Sequence, residues 1–170
     1  MARCVAKHVG LRQRSLILPT VDESGFTIAE LIVWLGVFAI LTAIAVPQYV
    51  AFQPGLRLNG AAREILSQLM WARGKAVEQS NNFVVSFPTN HSLTILDDKN
   101  NNGIADAGES TKTVDIQTDY SDATFTKGAG NPDPVFYPRG TAVGATTLTV
   151  TNSSGSRTVS VSTTGVVKIN

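Results

Sequence analysis

The stretch Gly25-Phe26-Thr27-Ile28-Ala29-Glu30-Leu31 decides how the rest of this chain is organised. It places one carboxylate, that of Glu30, at the start of an apolar run that continues to Val46. A carboxylate inside a bilayer costs about 2.5–3.5 kcal/mol on insertion scales, so an intramembrane Glu usually has a partner and a function. The run contains no basic residue. The partner of Glu30 must therefore lie outside it.

The apolar segment has about the length that a membrane-spanning helix needs, roughly 20 residues, when Phe26 and Tyr49 are counted at its ends. Four basic residues precede it: Arg3, Lys7, Arg12 and Arg14. Because basic flanks stay on the cytoplasmic side, residues 1–25 are predicted to remain there, and the C-terminal part is predicted to cross the membrane. The sequence therefore predicts a single-pass membrane protein whose C-terminal domain lies on the side opposite the cytoplasm.

The seven residues from Gly25 to Leu31 resemble the processing motif of type IV prepilins and type II secretion pseudopilins. The resemblance implies that a prepilin peptidase cuts between Gly25 and Phe26, and that the new amino terminus of Phe26 is methylated. It also implies that Glu30 pairs with a neighbouring subunit's amino group during filament assembly. A buried positive terminus and a buried carboxylate reduce each other's penalty. The expected partners are other pilins or pseudopilins, the peptidase and inner-membrane lipid.

Two other interpretations of the N-terminal region remain open. In an ordinary secretory signal, Ala43-Ile44-Ala45 would be the cleavage site and the mature chain would begin at Val46. Glu30 is out of place in the apolar part of such a signal, and a helical pattern continues past that site. A plain membrane anchor differs from the pilin interpretation only in the role of Glu30.

The charge balance of the chain is almost neutral, with 14 Lys and Arg against 13 Asp and Glu. Four of these bases and two of these acids precede Phe26, so the processed chain would carry ten bases and eleven acids. Bulk electrostatic capture of nucleic acid is therefore not implied. The single cysteine, Cys4, lies in the leader. The processed domain would rely on its core, on assembly or on a bound ion for stability.

A second helical segment follows the apolar run. Pro47 predicts a kink and Pro54-Gly55 predicts a second bend or a short break. Between Leu56 and Gln79, apolar residues recur at the spacing of one helical face: Leu58, Ala62, Ile65, Leu69, Ala72 and Ala76. This pattern predicts an amphipathic helix that packs on a sheet of its own domain and ends at Asn81-Asn82.

After this helix, the pattern changes to the alternation that is typical of β-strands. Eight strands are predicted, near 83–87, 92–96, 111–117, 123–127, 135–137, 146–151, 158–162 and 166–169. The fold class is therefore α+β, a long N-terminal helix packed on an antiparallel β domain, which is also the pilin architecture. The predicted organisation is a cleaved leader at 1–25, a membrane and assembly segment at 26–53, and a globular domain at 54–170.

Three later segments resemble the GspH/FimT branch of minor pilins and pseudopilins: Ala72-Arg73-Gly74-Lys75-Ala76, Phe136-Tyr137-Pro138-Arg139-Gly140 and Ser162-Thr163-Thr164-Gly165-Val166-Val167-Lys168. The resemblance implies a structural subunit of a type II secretion pseudopilus or a type IV pilus that acts in filament assembly or tip initiation. The processing motif indicates the wider class of type IV pilins and pseudopilins, and these three segments indicate the GspH/FimT branch within it.

FimT-like members also suggest an alternative function, DNA binding during uptake, through a C-terminal Gly-Arg-x-Arg segment. The corresponding stretch here begins at Gly165 and has Val166 and Lys168 at the two Arg positions. Near the C-terminus the other candidate cations are Arg139 and Arg157, whereas a phosphate-binding patch needs several clustered cations. A nucleic-acid partner is therefore not expected.

The segment from Asp98 to Glu109 fits the calcium-loop pattern D-x-[DN]-x-[DN]-G-x5-E at every specified position. The oxygen ligands would come from Asp98, Asn100, Asn102, the Ile104 carbonyl, Asp106 and Glu109. Strands rather than helices are predicted on both sides, and the apolar residue lies one position earlier than in EF-hands. The alternative is a solvated hairpin loop that needs no ion. Calcium is the one cofactor that the sequence suggests.

Catalytic chemistry has little support in the sequence. After the leader, His91 is the only histidine, and it lies in a polar turn where an exposed side chain is expected. The processed chain would have no cysteine, and no Gly-x-Ser-x-Gly elbow occurs. The sequence therefore predicts a protein that is not an enzyme, with no catalytic residues.

Overall fold

The structure is a computed structural model that describes residues 25–170. The predicted leader, apart from Gly25, and its cysteine Cys4 therefore lie outside the described residues. The described residues separate into two compact units, with the division between Thr42 and Ala43. The predicted domain boundaries at 25/26 and 53/54 stay predictions.

A single helix, α1, runs from Ile28 to Gln79. The predicted break at Pro54-Gly55 is wrong, because α1 continues through both Pro47 and Pro54. Proline lacks the N–H that would donate to the carbonyl four residues earlier, and contacts with the β domain hold α1 next to this point. Asn152 Nδ2 donates to the Pro54 carbonyl at 2.7 Å, and the guanidinium of Arg57 lies 3.6 Å from the Asp122 carboxylate.

The end of α1 agrees with the predicted end at Asn81-Asn82. The last helical residue is Gln79, and Ser80 has a φ of 58°, the left-handed conformation that often terminates helices. The next residues start the first strand at Asn82. Helix and sheet are therefore joined by a two-residue turn.

The first half of α1 is long and apolar enough to cross a membrane, by length and composition. None of its most apolar 18-residue window is buried within the chain. A helix that is hydrophobic all round needs lipid or protein as its surroundings. The predicted membrane-spanning character is thus matched by an apolar segment that the rest of the described chain leaves uncovered.

The second half of α1 buries one face, as predicted. The buried residues are Leu58, Ala61, Ala62, Ile65, Leu69, Ala72 and Ala76. They include all six residues of the predicted stripe, and small alanines let the strands approach closely. Gly60 has a related role, since any Cβ there would collide with the ring of Tyr120.

Eight strands follow, and each corresponds to a predicted one: β1 (Asn82–Ser86), β2 (Ser92–Asp98), β3 (Thr111–Asp115), β4 (Thr124–Lys127), β5 (Val135–Phe136), β6 (Thr146–Asn152), β7 (Gly155–Val161) and β8 (Val167–Ile169). Each strand differs from its predicted bounds by one to three residues at one end or both, and two of these differences have a clear structural cause. Residues Ile116–Thr118 form a 3-10 turn capped by the Asp115 carboxylate instead of extending β3. Strand β7 begins three residues early because Gly155 pairs with Asn152 across a tight turn.

The strands form two antiparallel four-stranded sheets, in the orders β3-β2-β1-β5 and β4-β6-β7-β8. Alternate residues of β6 and the C-terminal part of β7 are buried, as expected for strands with one face on a core. The largest fully buried side chains come from both sheets and include Phe125, Phe136, Ile95 and Leu148. They form one hydrophobic cluster with the buried face of α1. The predicted α+β fold is confirmed.

One junction connects α1 to two distant turns of the β domain. Arg73 Nε donates to the carbonyl oxygen of Gly140 at 2.8 Å. Gly165 packs against that same carbonyl, and an added Cβ there would overlap the oxygen and lie 3.0 Å from Arg73 Nε. We call Arg73, Gly140 and Gly165 the glycine junction. Each comes from a different one of the three segments that resemble the GspH/FimT branch.

The glycine junction makes a testable prediction about stability. Gly165→Ala is expected to lower the free energy of unfolding by about 2–5 kcal/mol. This sum combines left-handed strain of about 1–2 kcal/mol with overpacking of about 1–3 kcal/mol. Thermal or urea unfolding of the full chain in detergent would measure the loss.

Gly130→Ala is the matched control, because Gly130 and Gly165 both have a φ of 76°. At Gly130 no atom lies within 4 Å of an added Cβ, so only the backbone strain applies. Equal losses in the two variants would mean that close packing at the junction contributes nothing.

Candidate functional site

The proposed processing and assembly end of the chain consists of a non-helical tripeptide followed by a capped helix. Residues 25–27 are not helical, and α1 begins at Ile28. Thr27 Oγ1 accepts a hydrogen bond from Glu30 N at 3.2 Å, and the Thr27 carbonyl accepts one from Leu31 N at 3.1 Å. Thr27 and Glu30 have the spacing of a capping box, which satisfies amide groups that a helix start otherwise leaves free.

Glu30 lies in the first turn of α1 and is exposed. A negative side chain is favourable here because the amino end of a helix carries a partial positive charge. No basic side chain of residues 25–170 pairs with Glu30. Its carboxylate therefore has a favourable position on its own helix but needs a counter-charge from elsewhere when it is taken out of water.

The apolar half of α1 offers almost no polar group to a neighbour. Its large hydrophobic side chains are exposed, for example Ile28 at 79% and Phe38 at 65%. Between Leu31 and Val46, Thr42 is the one residue with a hydroxyl group, and Thr42 Oγ1 donates within the helix, 3.0 Å from each of the carbonyls of Phe38 and Ala39. This internal bond makes the hydroxyl compatible with an apolar environment.

The predicted calcium loop connects β2 to β3 and is closed by its own hydrogen bonds. The buried Asp98 carboxylate accepts the backbone amides of Asn102 at 3.0 Å and Gly103 at 2.8 Å. The Glu109 carboxylate accepts the amides of Lys99 at 2.9 Å and Asp106 at 3.1 Å. The loop therefore brings the predicted ligand residues into one small segment.

The oxygens of this loop are directed mainly at the loop's own donors. Asn100 Nδ2 and Asn102 Nδ2 both donate to Asp106 Oδ2, at 2.8 and 2.6 Å. These two hydrogen bonds, first that from Asn100 and then that from Asn102, lower the pKa of Asp106. Across residues 25–170 no group of three or more His, Cys, Asp or Glu side chains is arranged to hold a metal ion. The arrangement fits a self-closed hairpin loop, and calcium binding stays a prediction.

The cations considered for nucleic acid lie in different parts of the domain. Arg157 Nε donates to Asn59 Oδ1 at 3.0 Å, near the start of the buried half of α1. Arg139 lies next to Gly140, beside the glycine junction. Arg73 of that junction is fourteen residues, or about 20 Å, further along α1 than Asn59. Lys168 lies on the edge strand β8. The placement of these side chains gives the nucleic-acid alternative no support.

Two neighbouring cavities flank the glycine junction, and sequence analysis did not predict them. One, of about 300 Å³, is lined by Met70, Arg73, Gly74 and Val77. The other, of about 330 Å³, is lined by Tyr137, Pro138, Arg139 and Thr141. Most lining residues belong to, or lie next to, residues 72–76 and 136–140, two of the segments that resemble the GspH/FimT branch. These segments are the sequence signal that could have identified the cavities.

The family comparison assigns most of the globular domain. The sequence pattern of the family described as Type II transport protein GspH matches residues 61–165. This range covers most of the buried face of α1, seven of the eight strands and the whole glycine junction. Glu30 lies outside it. Comparison with curated protein sequences gives no significant match.

Solved structures with the same fold include two kinds of filament subunit. The type IV minor pilin FimU of Pseudomonas aeruginosa aligns with a TM-score of 0.56 and 20% identity, over 70% of this chain and 92% of FimU. The minor pseudopilin EpsH from the type 2 secretion system of Vibrio cholerae aligns with a TM-score of 0.52 and 14% identity, over 67% of this chain and 96% of EpsH. At these identities, the likeness establishes the fold.

Asp98 provides a test of what closes the β2–β3 loop. Asp98→Ala is expected to destabilise the protein by about 1–3 kcal/mol, because two backbone amides lose a buried acceptor. The loss should be the same in calcium and in chelator if the loop's own hydrogen bonds suffice. Unfolding of wild-type and variant in both buffers would measure it.

The same measurement tests the calcium prediction. A bound ion would raise the wild-type melting temperature in calcium, and the combined change of Asp98→Ala and Glu109→Ala would abolish that rise. An equal wild-type melting temperature in calcium and chelator would contradict calcium binding.

Proposed function

The chain belongs to the family of the type II transport protein GspH, and we propose that it is a minor structural subunit of a type II secretion pseudopilus or a type IV pilus. It acts by assembly, during filament initiation or growth, rather than by catalysis. The likeness to both a type IV minor pilin and a secretion pseudopilin is compatible with either filament. Its partners are other pilins or pseudopilins.

The observation that carries this proposal is the uncovered apolar half of α1 with Glu30 in its first turn. Before assembly, inner-membrane lipid covers this surface, and the β domain lies in the periplasm. In the filament, the apolar halves of neighbouring helices replace the lipid. Because packing of apolar side chains is not strongly directional, it cannot by itself define the register between two helices.

A charge pair that includes Glu30 defines the register between neighbouring helices. A prepilin peptidase cuts between Gly25 and Phe26, which creates a positive amino terminus at Phe26, and this terminus is then methylated. An amino terminus on one subunit and Glu30 on its neighbour are both costly to bury alone, and their pairing offsets part of each penalty. The subunit therefore enters the filament at the position where the two charges meet.

DNA binding is the alternative that the FimT-like resemblance offered, and no contact in the described residues favours it. Arg157 is engaged with Asn59, and Arg139 lies beside Arg73 at another level of α1. Nonspecific binding of phosphates depends on several cations that act together. The assembly function is therefore the one that the geometry supports best.

The proposal predicts the mass of the mature protein. Purified from native membranes, the chain should begin at N-methylated Phe26, as determined by intact-mass and N-terminal analysis. The alternative secretory interpretation predicts a chain that begins at Val46, and that result would remove Glu30 from the mature protein altogether. A chain that keeps residues 1–25 would contradict the proposed processing.

Glu30→Gln is predicted to leave cleavage largely intact and to reduce entry into the filament by at least about tenfold. Leaving one buried charge unpaired costs about 3–5 kcal/mol, and 1.4 kcal/mol already corresponds to a factor of ten. The measurement is the ratio of the variant in the sheared filament fraction to that in the membrane fraction, in cells that carry the assembly machinery.

Glu64→Gln is the matched control on the same helix, because Glu64 pairs locally with Gln68 at 2.7 Å. It should enter the filament as the wild type does. If Glu30→Gln also enters at the wild-type level, Glu30 does not act in assembly.

A further inference from the structure

The cavity of about 300 Å³ beside the glycine junction is formed by a single helix. Its lining residues all come from α1: Met70, Arg73, Gly74 and Val77. We call it the Gly74 cavity. The four residues have the spacing i, i+3, i+4 and i+7, so they surround one point on one face of the helix. In knobs-into-holes packing, four residues of one helix form the hole that receives a side chain of the facing helix. The Gly74 cavity therefore has the arrangement of such a hole.

The two ends of the Gly74 cavity are apolar and exposed. Met70 and Val77 are 53% and 51% exposed, although both lie in the half of α1 that packs on the strands with its other face. Removing large hydrophobic side chains from water is favourable. A partner that covers Met70 and Val77 together would thus gain from burying both.

Gly74 lies between these two side chains and has no packing role within its own chain. It is in the interior of α1, where glycine is less favourable than alanine. Among the residues that the structure describes, nothing lies within 4 Å of an added Cβ at Gly74, whereas a Cβ at Gly60 would collide with Tyr120. Small residues on a helix surface allow a second helix to approach closely. The position of Gly74 is therefore explained by a partner helix.

Arg73 gives the Gly74 cavity a positive charge with unused donors. Its Nε donates to the Gly140 carbonyl, and no other hydrogen bond of this guanidinium occurs within residues 25–170. The remaining N–H groups of an arginine fork match the two oxygens of a carboxylate. On a helix, the neighbours of a side chain on the same face are three or four residues away. The matching partner helix therefore has a large apolar residue and an Asp or Glu one turn from it.

The charges of this face do not favour a second copy of the same chain. Arg63 is exposed about three turns before Gly74, so the face has two arginines, Arg63 and Arg73. The two acids of this half of α1, Glu64 and Glu78, each accept a hydrogen bond from a neighbouring side chain of the same helix. Packing this face against itself would place like charges together, which is unfavourable.

We propose that the Gly74 cavity receives a large apolar side chain from a helix of a different pilin or pseudopilin subunit, and that an acidic residue of that helix pairs with Arg73. This proposal rests on the proposed assembly function, for which it names a surface and the chemistry of the partner. Gly74 lies 28 residues, or about 42 Å, beyond Val46 along α1, so the contact is separate from the charge pair at Glu30. It joins two unlike subunits and does not repeat between copies of this chain.

Site-specific photocrosslinking of the full-length chain tests the contact. The photoreactive amino acid p-benzoylphenylalanine replaces Met70, and cells that carry the assembly machinery are irradiated. Mass spectrometry of the cross-linked peptides should identify a helix of a different pilin or pseudopilin subunit, with an Asp or Glu three or four residues from the linked residue.

The control has the same photoreactive amino acid at Thr118, which is exposed but lines neither cavity. It should not give that product. Equal yields from the two positions would overturn the proposal. Cross-linking of the Met70 position only to a second copy of this chain, or to no other subunit, would also overturn it.

A blocking variant separates docking from a general effect on stability. Gly74→Leu fills the cavity and improves helix propensity, so the melting temperature should be unchanged or higher. The cross-link from position 70 should fall by about tenfold or more, which corresponds to about 1.4 kcal/mol. Gln79→Leu is the control, since Gln79 is exposed in the last turn of α1 and does not line the cavity. Undiminished cross-linking in Gly74→Leu would contradict the proposed contact.

The charge pair is tested on the partner, so that Arg73 and the glycine junction stay intact. Replacing the partner's acidic residue with Lys should lower the cross-link by about tenfold or more, because like charges then meet at Arg73. An unchanged yield would show that Arg73 does not pair with that residue.

The same cells distinguish this contact from the assembly function. If the chain enters the filament fraction while position 70 never cross-links to another subunit, the contact is wrong and the assembly function stands. If the cross-link to another subunit forms in membranes while the chain never enters the filament, the assembly function fails and the contact stands.

Discussion

Helix α1 is apolar on every side in its first half and on one side in its second half, so the two halves need different packing partners. The strands pack on the second half, against the face that runs from Leu58 to Ala76. No described part of the chain packs on the first half. Most of the architecture follows from this division, since the β domain begins to contact α1 where Pro54 accepts a hydrogen bond from Asn152. The helix is thus both the core element of a domain and a surface for other molecules.

The glycine junction shows how far the domain depends on contacts between distant segments. Arg73, Gly140 and Gly165 are separated by more than twenty residues at each step, yet one carbonyl oxygen contacts both of the others. Both glycines have positive φ; the Gly140 carbonyl accepts a hydrogen bond from Arg73, and Gly165 packs against the same carbonyl. The resemblance to the GspH/FimT branch in these three segments therefore has a common structural origin.

Local patterns in the sequence predicted the elements, and long-range contacts explain what they did not predict. The alternation in residues 146–151 and the stripe from Leu58 to Ala76 were sufficient for β6 and the second half of α1. The pattern at Pro54-Gly55 allowed a bend or a short break, and the break is wrong because α1 continues there, next to contacts from residues 122 and 152. The two cavities beside the glycine junction could not be predicted, since the segments that line them meet only through the tertiary fold. The pattern of the β2–β3 loop specified which residues gather there but not whether their oxygens face an ion or the loop's own amides.

The Thr27 cap has a consequence for the kinetics of maturation. Proteases generally act on extended backbone, and a scissile bond inside a helix must wait for fraying. Here the bond between Gly25 and Phe26 lies in a non-helical tripeptide, and the hydrogen bonds that stabilise the helix start come from Thr27, on the far side of that bond. The proposed cleavage therefore needs no unwinding, and the helix keeps its cap afterwards. In the proposed processing, the bond that is cut and the residue that caps α1 are therefore separate, and the start of the helix is already ordered when the leader is removed.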